Sequence, residues 1–241
     1  TLTDQEEVAK IIQDYDLTSI AVVDSESKLV GIITIDDVID IIEEETTEDI
    51  EKMAAILPTE KSYLKLSTFD LWKSRIPWLL LLMISATFTG KIIQHFEESL
   101  AACVILTSFI PMLMDTGGNA GGQSSATIIR ALSLNDIEFK DIFKVIFKEF
   151  KVALVVSLTL SVANFIKLIF IDGITTNVAF VVCLTLILTV CIAKIVGCSL
   201  PILAKKIGFD PAVMASPFIT TIVDAISLLV YFQIASQILH I

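Results

Sequence analysis

The sequence contains few residues of the kinds that bind transition metals or form disulfides. It has two histidines and four cysteines among 241 residues, and no two cysteines form a CxxC pair. His95 and His240 stand alone near the ends of apolar stretches, so we expect no metal role for them. The cysteines all lie in apolar segments and are interpreted as small hydrophobic side chains. They are Cys103, Cys183, Cys191 and Cys198.

Motifs of the common enzyme classes are also missing. The chain has no Walker sequence, no nucleophile elbow and no HExxH pair. Basic residues number 17 against 28 acidic ones, and the formal net charge is −11. Because nucleic-acid binding needs basic patches, we expect no nucleic-acid partner. The sequence gives little support to an enzyme either.

Much of the negative charge lies in one run over residues 36–51, with the sequence DDVIDIIEEETTEDIE. Two interpretations of this run stay open. Runs of acidic residues commonly form the solvated face of a helix. Clustered carboxylates are also the ligands that divalent cations prefer.

The hydrophobic residues are unevenly distributed. They make up 54% of the chain, above the roughly 45–50% of a typical soluble domain. Residues 1–75 are acidic and mixed in character, whereas long apolar runs follow from Ile76 onward. We predict a predominantly α fold: a partial α/β domain (1–50), a linker with an amphipathic helix (51–75), and a five-span helical membrane domain (76–241).

The N-terminal part has the order helix, strand, turn, strand, helix. The pattern predicts a helix over 5–14, strands over 19–23 and 29–34, and a second helix that ends at about Glu45. The sequence VVD, followed by LVGIIT and DD, resembles the second half of a CBS domain. The chain begins within that domain, without Met and without a signal peptide, so we expect an N-terminal part to be missing.

A polar linker over 46–66 leads to a short amphipathic helix over 67–75, with Trp72 and Trp78 suited to the headgroup level. Five apolar segments follow, each long enough to cross a bilayer. We expect the second to be broken near Pro111 and Gly117-Gly118. The predicted spans are 76–96, 99–131, 148–171, 178–204 and 211–239.

The distribution of Lys and Arg predicts the orientation of these spans. Lys73 and Arg75 precede the first span, and several basic residues lie between the second and third. The loop over 172–177 has none. Because cytoplasmic loops carry the excess of positive residues, we expect a cytoplasmic N-terminus and a C-terminus outside the cell.

Asp224 lies near the middle of the fifth predicted span. Ionisable residues at that depth are costly and usually functional. The polar residues around it are spaced four, four, three and four apart, which places them on one helical face and indicates the wall of a hydrated path. The alternative is a buried acid that is protonated or paired, with Lys167 or Lys194 as possible partners. The stripe consists of Ser216, Thr220, Asp224, Ser227 and Tyr231.

The second predicted span contains the polar, glycine-rich sequence PMLMDTGGNAGGQSS over 111–125. Irregular backbone within a membrane is tolerated where it lines a cavity, and its carbonyl oxygens can bind a cation. Asp115 adds a carboxylate. Close helix packing would also explain the glycines, but it explains Asp115, Asn119 and Gln123 less well.

The motif P-x5-GGNAGGQS followed by IIRAL resembles the signature of the MgtE magnesium transporter family. The resemblance continues at Lys148-Glu149, at Asp210-Pro211-Ala212 and through Asp224. Together with the CBS fragment, it covers nearly the whole chain in the family's order. It implies a homodimer whose pore lies on the two-fold axis between the second and fifth spans.

The resemblance also implies roles for particular residues. Asp224 would hold hydrated Mg²⁺, with backbone carbonyls of Gly118 and Thr220 and with Asn119. Asp115 and Gly122 depart from some members of the family and leave the ligand set open. Segment 68–75 resembles the family's plug helix. The acidic residues that match its regulatory Mg²⁺ sites are Asp37, Asp40, Glu45, Glu48 and Asp49.

Three functions follow as hypotheses. The first is a channel that moves Mg²⁺ across the cell membrane and is gated by Mg²⁺ at the acidic region. The second is a carrier for Co²⁺, Mn²⁺ or Ni²⁺, or an exchanger coupled to Na⁺ or H⁺. The third is a membrane-anchored CBS sensor that conducts nothing. The expected partners are a second copy of the chain, the lipid bilayer and divalent cations.

Overall fold

The computed structural model describes residues 1–59, 62–214 and 216–240 and forms two compact units. The first contains 1–52 and 57–74, and the second contains 53–56 and the chain from Arg75 onward. The helices are α1 (Gln5–Asp14), α2 (Ile35–Met53), α3 (Thr68–His95), α4 (Glu97–Ala102), α5 (Ile110–Ser133), α6 (Ile142–Phe170), α7 (Thr176–Lys206) and α8 (Ser216–Leu239). The strands are β1 (Ser19–Val23) and β2 (Leu29–Thr34).

The first unit contains an antiparallel hairpin and two helices, in the predicted order. Ser19 of β1 pairs with Thr34 of β2, and the register shifts at Val22/Val23. The Asp4 side chain accepts a hydrogen bond from the backbone N–H of Glu6 and so caps α1. A small core joins the helices to the sheet. Its buried members are Ala9, Ile12 and Val38.

Two predicted helix boundaries in this region were wrong. Helix α2 continues to Met53 instead of ending at about Glu45, so the first part of the expected linker is helical. The segment expected as a separate amphipathic helix over 67–75 is the first part of α3, which continues through Pro77 to His95. The acidic run therefore lies on a single long helix, because it contains neither Gly nor Pro to end it.

Four helical segments in the described ranges are long and apolar enough to cross a membrane: Thr68–His95, Phe139–Phe170, Thr176–Lys206 and Pro211–Leu239. They correspond to the first, third, fourth and fifth predicted spans. The second prediction, 99–131, contains α4, a 3-10 helix over Val104–Phe109 and α5. The number of five spans is therefore not confirmed by hydropathy. Helix α5 has 24 residues, or about 36 Å at ~1.5 Å per residue.

The predicted break near Gly117-Gly118 was wrong, but the second predicted span is interrupted directly before Pro111 by the 3-10 helix over Val104–Phe109. Helix α5 is continuous through Gly117 and Gly118, and Pro111 lies in its first turn, where a missing N–H costs no helical bond. The irregular backbone lies earlier, around Cys103 and the 3-10 helix that follows it.

Helix α7 is at the centre of the second unit. In its most apolar stretch 67% of the residues are buried, compared with 6% in α3. Helix α5 packs against α7 and α8, and α6 also packs against α7. Cys183, Cys191 and Cys198 are buried among these apolar side chains.

Glycines permit the close approach of α5 to α7. A Cβ at Gly197 would meet the backbone oxygen of Gly121, and a Cβ at Gly117 would lie 2.7 Å from the Thr189 methyl group. Such contacts between small residues drive helix association where lipid removes the hydrophobic driving force. The packing interpretation of these glycines is therefore correct for Gly117 and Gly121.

Candidate cation pathway

Helix α5 presents three different faces. Gly117 and Gly121 lie between α7 and α8, and Gly118 faces Thr220 of α8. The third face is exposed, and it carries Asp115 and Asn119, followed by Gln123 one turn later. A spacing of four residues places these polar side chains in one row along the helix. Such a row is poorly suited to lipid, so it needs water or a second protein surface.

Asp224 lies on α8 and is half-buried. Gly117 of α5 packs against Val223, the residue before Asp224, and Asp115 lies two residues before Gly117, so the two acids lie near each other where α5 meets α8. Among the described residues, neither carboxylate has a hydrogen bond or an ion pair. No basic group compensates the two acids in the part of the chain that the structure describes, and carboxylates are ligands that divalent cations prefer.

The suggested basic partners of Asp224 are engaged elsewhere. Nζ of Lys167 lies 2.6 Å from Oδ2 of Asp172, just after the end of α6. Lys194 lies 3.7 Å from Glu149. The alternative of an Asp224 paired with either lysine was therefore wrong.

Thr220 and Gly118 lie directly against each other at the α5–α8 contact. The Thr220 hydroxyl donates a hydrogen bond to the backbone oxygen of Pro217, one turn earlier in α8. The side chain is therefore turned back onto its own helix, and its methyl group packs on Gly118. This contact brings the backbones of Gly118 and Thr220 next to each other, one helical turn before Asp224 in α8.

The rest of the predicted polar stripe does not line an exposed path. Ser227 is 2% exposed, close to where a Cβ of Gly117 would lie, and Tyr231 is fully buried. The Tyr231 hydroxyl donates a 2.9 Å hydrogen bond to the backbone oxygen of Leu106. These two residues serve packing within the bundle, so the stripe is wrong beyond Asp224. The side chain of Ser216 lies outside the described part of the chain.

The acidic run of α2 lines an open groove of about 670 Å³ in the first unit. Glu45 accepts a 2.6 Å hydrogen bond from Gln5, and Glu51 accepts one of 2.9 Å from the backbone N–H of Thr59. Glu48 forms an ion pair with Lys52. The acidic lining residues are Asp40, Glu43, Glu44, Glu45, Glu48 and Glu51.

Two of the five predicted regulatory residues are not among the residues that line this groove. Asp37 caps α2: its carboxylate accepts hydrogen bonds from the hydroxyl (2.7 Å) and the backbone N–H (3.0 Å) of Thr34. These bonds, the hydroxyl first, lower the pKa of Asp37. Asp49 is half-buried on the same helix. Within the described residues, no three carboxylate, imidazole or thiol groups converge on one metal position.

The structure also contains a charged cluster that sequence reasoning missed. Lys194 of α7 and Glu149 of α6 both contact the hydroxyl of Ser124 on α5 and lie close to each other. The sequence signal was a lysine in the middle of an apolar span, which periodicity alone could not assign to a partner.

Comparison with family models places these helices among known proteins. The model described as a divalent cation transporter, MgtE, matches residues 110–234, which is more than half of the chain. The chain belongs to the MgtE family. The match begins at the start of α5 and ends near the end of α8, so it includes both acids of the candidate pathway.

A CBS domain model matches residues 3–44, in agreement with the hairpin and its flanking helices. Three curated relatives carry the name magnesium transporter MgtE. The protein of Thermus thermophilus is 41% identical over 240 residues, or 100% of this chain and 53% of its own length. The Bacillus subtilis protein is 40% identical over 99% of the chain and 52% of its own length. The Enterococcus faecalis protein is 35% identical over 98% of the chain and 51% of its own length.

The chain thus spans about half the length of the curated relatives it matches. The MgtE resemblance in the sequence is confirmed, and so is the CBS fragment. MgtE proteins are transporters and not enzymes, which agrees with the lack of catalytic motifs.

Proposed function

We propose that this chain forms the conducting part of a Mg²⁺ transporter whose pore lies on the axis of a homodimer. The observation that carries the proposal is the pair of uncompensated acids, Asp115 and Asp224, where α5 meets α8. The names of the relatives, which match over nearly the full chain, favour Mg²⁺ as the transported ion.

The exposed face of α5 supports a second copy as the partner. A charged aspartate at the centre of a membrane helix costs about 2.5–3.5 kcal/mol even by the lower scales. Placing the row of Asp115, Asn119 and Gln123 opposite its symmetry mate would remove it from lipid. An interface of this kind is two-fold symmetric, so each polar group would face the same group of the partner across water.

The chemistry of this axis suits a hydrated magnesium ion. Mg²⁺ dehydrates reluctantly and commonly keeps several waters, so it is held by one or two carboxylates and by polar groups around its waters. Two Asp224 carboxylates would balance its charge. Asp115, Asn119 and the backbone carbonyls of Gly118 and Thr220 would accept hydrogen bonds from those waters.

The acidic groove would supply regulation. At low Mg²⁺ its carboxylates repel each other, and at high Mg²⁺ bound ions would bring them together. Asp40, Glu45 and Glu48 line the groove, and Asp37 and Asp49 lie on the same helix. Segment 68–75, the start of α3, would act as the plug. Gating then becomes a two-state equilibrium that the ligand biases. In this scheme the N-terminus lies in the cytoplasm and the C-terminus outside.

Flux of Mg²⁺ into liposomes that contain the purified chain tests the proposal. We expect Asp224→Ala to abolish uptake, because the pore loses its central charge. Asp172→Asn is the matched control, since Asp172 lies at a helix end and pairs with Lys167; it should leave uptake unchanged. Equal uptake by the native chain and Asp224→Ala would reject the pore assignment.

The same liposomes separate the other functions. Uptake of Mn²⁺, Co²⁺ or Ni²⁺ in preference to Mg²⁺ would indicate a different cargo. Uptake that requires a Na⁺ or H⁺ gradient would indicate coupled exchange. No uptake of any divalent ion would favour a membrane-anchored sensor.

A further inference from the structure

Three helices meet at a buried cluster of charged and polar groups. Lys194 of α7 is 4% exposed. Its Nζ donates a 3.1 Å hydrogen bond to the hydroxyl oxygen of Ser124 on α5. The Ser124 hydroxyl in turn donates a 2.5 Å hydrogen bond to Oε2 of Glu149 on α6. Glu149 Oε2 also lies 3.7 Å from Lys194 Nζ.

Packing does not require this cluster. Removing two charges from water is costly, and apolar residues of similar volume often serve stability as well as a buried ion pair. The α5–α7 contact already has a close fit through Gly121 and Gly197. A buried pair that adds little stability can still specify one arrangement among several, and this is its best-attested use.

The glycine contacts fix which face of α5 meets α7 and α8, because a side chain at Gly117 or Gly121 would clash there. They are van der Waals contacts without a preferred bond direction, so they define small rotations of α5 about its own axis less sharply than hydrogen bonds do. Hydrogen bonds are directional and weaken steeply when their angle changes. Ser124 joins α5 to both α6 and α7 by such bonds. These are in addition to the bond from Ser125 to the Met214 carbonyl and the bond from Lys205 to the Leu132 carbonyl.

The rotation of α5 also determines where its exposed row points. Ser124 follows Gln123 directly and lies five residues after Asn119. A turn of the helix would move Asp115 and Asn119 away from α8 and Asp224. We propose that Glu149 and Lys194 are positioning residues, which act through Ser124 to hold the polar row of α5 toward the cation pathway. This inference rests on the proposed transport function.

Two variants test the role without leaving a lone buried charge. Ser124→Ala keeps the ion pair and removes its link to α5. Glu149→Gln combined with Lys194→Met removes both charges together. Ser161→Ala is the matched control: the Ser161 hydroxyl joins α6 to α7 through a 3.2 Å hydrogen bond to the backbone oxygen of Cys183, and its partners do not include α5.

The first readout is Mg²⁺ uptake as a function of Mg²⁺ concentration, together with the melting temperature in detergent. We expect Ser124→Ala and the double variant to lower maximal uptake by about fivefold, the factor that corresponds to one ordinary hydrogen bond. Their melting temperatures should remain close to that of Ser161→Ala. Ser161→Ala should transport like the native chain.

The second readout reports rotation directly and needs no transport. A Gln123→Cys reporter, in a Cys103→Ser background, is labelled with a water-soluble thiol reagent. We expect its labelling rate to change in Ser124→Ala and in the double variant, but not in Ser161→Ala.

The two readouts separate the inference from the proposed function. If the native chain takes up no divalent ion, transport fails, and the labelling rates still decide whether the cluster orients α5. Native uptake and native labelling in both variants would overturn the positioning role. The same losses in Ser161→Ala would also overturn it, since they would reflect general loosening of the bundle.

Discussion

Gly118 of α5 and Thr220 of α8 touch so closely that a Cβ at position 118 would overlap the Thr220 Cγ2 methyl. The other Thr220 atoms are at ordinary contact distance, with Cβ at 3.4 Å and Cα at 3.8 Å. A single methyl group therefore defines how near the two helices can come. Because Asp115 and Asp224 lie on the same two helices, this contact also determines the spacing of the acids.

Gly118→Ala should separate α5 from α8. Overpacking of this kind typically costs about 1–3 kcal/mol, and we expect a lower melting temperature in detergent together with reduced Mg²⁺ uptake. Adding Thr220→Ser should restore both, because it removes the obstructing methyl and keeps the hydroxyl that bonds to Pro217.

Gly90→Ala is the control for the alanine itself. Gly90 lies in α3, and nothing is within 4 Å of its missing Cβ. Alanine is favoured over glycine in a helix by about 1 kcal/mol, so Gly90→Ala should not destabilise the chain. Failure of Thr220→Ser to rescue Gly118→Ala would mean that the methyl contact does not control the helix spacing.

Sequence motifs were enough to predict the family and the CBS fragment, whereas the pathway helices and the role of Asp224 stay predictions. The motifs could not show that α5 is unbroken. Glycines in water destabilise a helix, but here Gly117, Gly118 and Gly121 meet α7 and α8 at close range. The neighbouring helices supply the packing that offsets the low helix propensity, and no local pattern encodes those neighbours.

Periodicity likewise predicts a shared face but not what that face meets. Ser227 and Tyr231 lie on the same side of α8 as Asp224 by spacing, yet they are buried against other helices. The partner of Tyr231 is a backbone oxygen 125 residues away, at Leu106. Lys194 likewise pairs with Glu149, which lies 45 residues earlier in the sequence, and local periodicity does not reveal such a distant partner.

Asp115→Asn should weaken Mg²⁺ binding without abolishing transport. Asp115 is exposed on α5 near Asp224 at the α5–α8 contact, so removal of its charge should weaken the attraction for a cation. We expect the Mg²⁺ concentration for half-maximal uptake to rise about tenfold, equivalent to about 1.4 kcal/mol. Asp115→Glu keeps the charge and should remain near native. An unchanged concentration dependence in Asp115→Asn would place Asp115 outside the pathway.

Asp37 should stabilise the start of α2 only while it is charged. Hydrogen bonds from Thr34 lower its pKa below the usual 3.8. The contribution is therefore complete above that ordinary value and is lost as the pH falls through the lower pKa of the folded chain. Amides at the start of α2 should exchange hydrogen faster in Asp37→Ala than in the native chain at neutral pH. This difference should shrink in strong acid.

Asp36→Ala is the matched control for that experiment, since Asp36 is the neighbouring exposed acid in the same helical turn. It should leave exchange nearly native at both pH values. If Asp36→Ala and Asp37→Ala accelerated exchange equally, the effect would come from helix-dipole charge in general and not from the Thr34 cap.

Thr189→Val should stabilise the bundle. Thr189 is 1% exposed at the α5–α7 contact, and its hydroxyl has no hydrogen-bond partner among the described residues. An unsatisfied buried hydroxyl costs about 1–3 kcal/mol, and valine has nearly the same shape, so the melting temperature should rise. Thr185→Val is the control, because the Thr185 hydroxyl already donates to the backbone oxygen of Val181. A fall in melting temperature or in Mg²⁺ uptake for Thr189→Val alone would show that this hydroxyl has a partner in the working transporter.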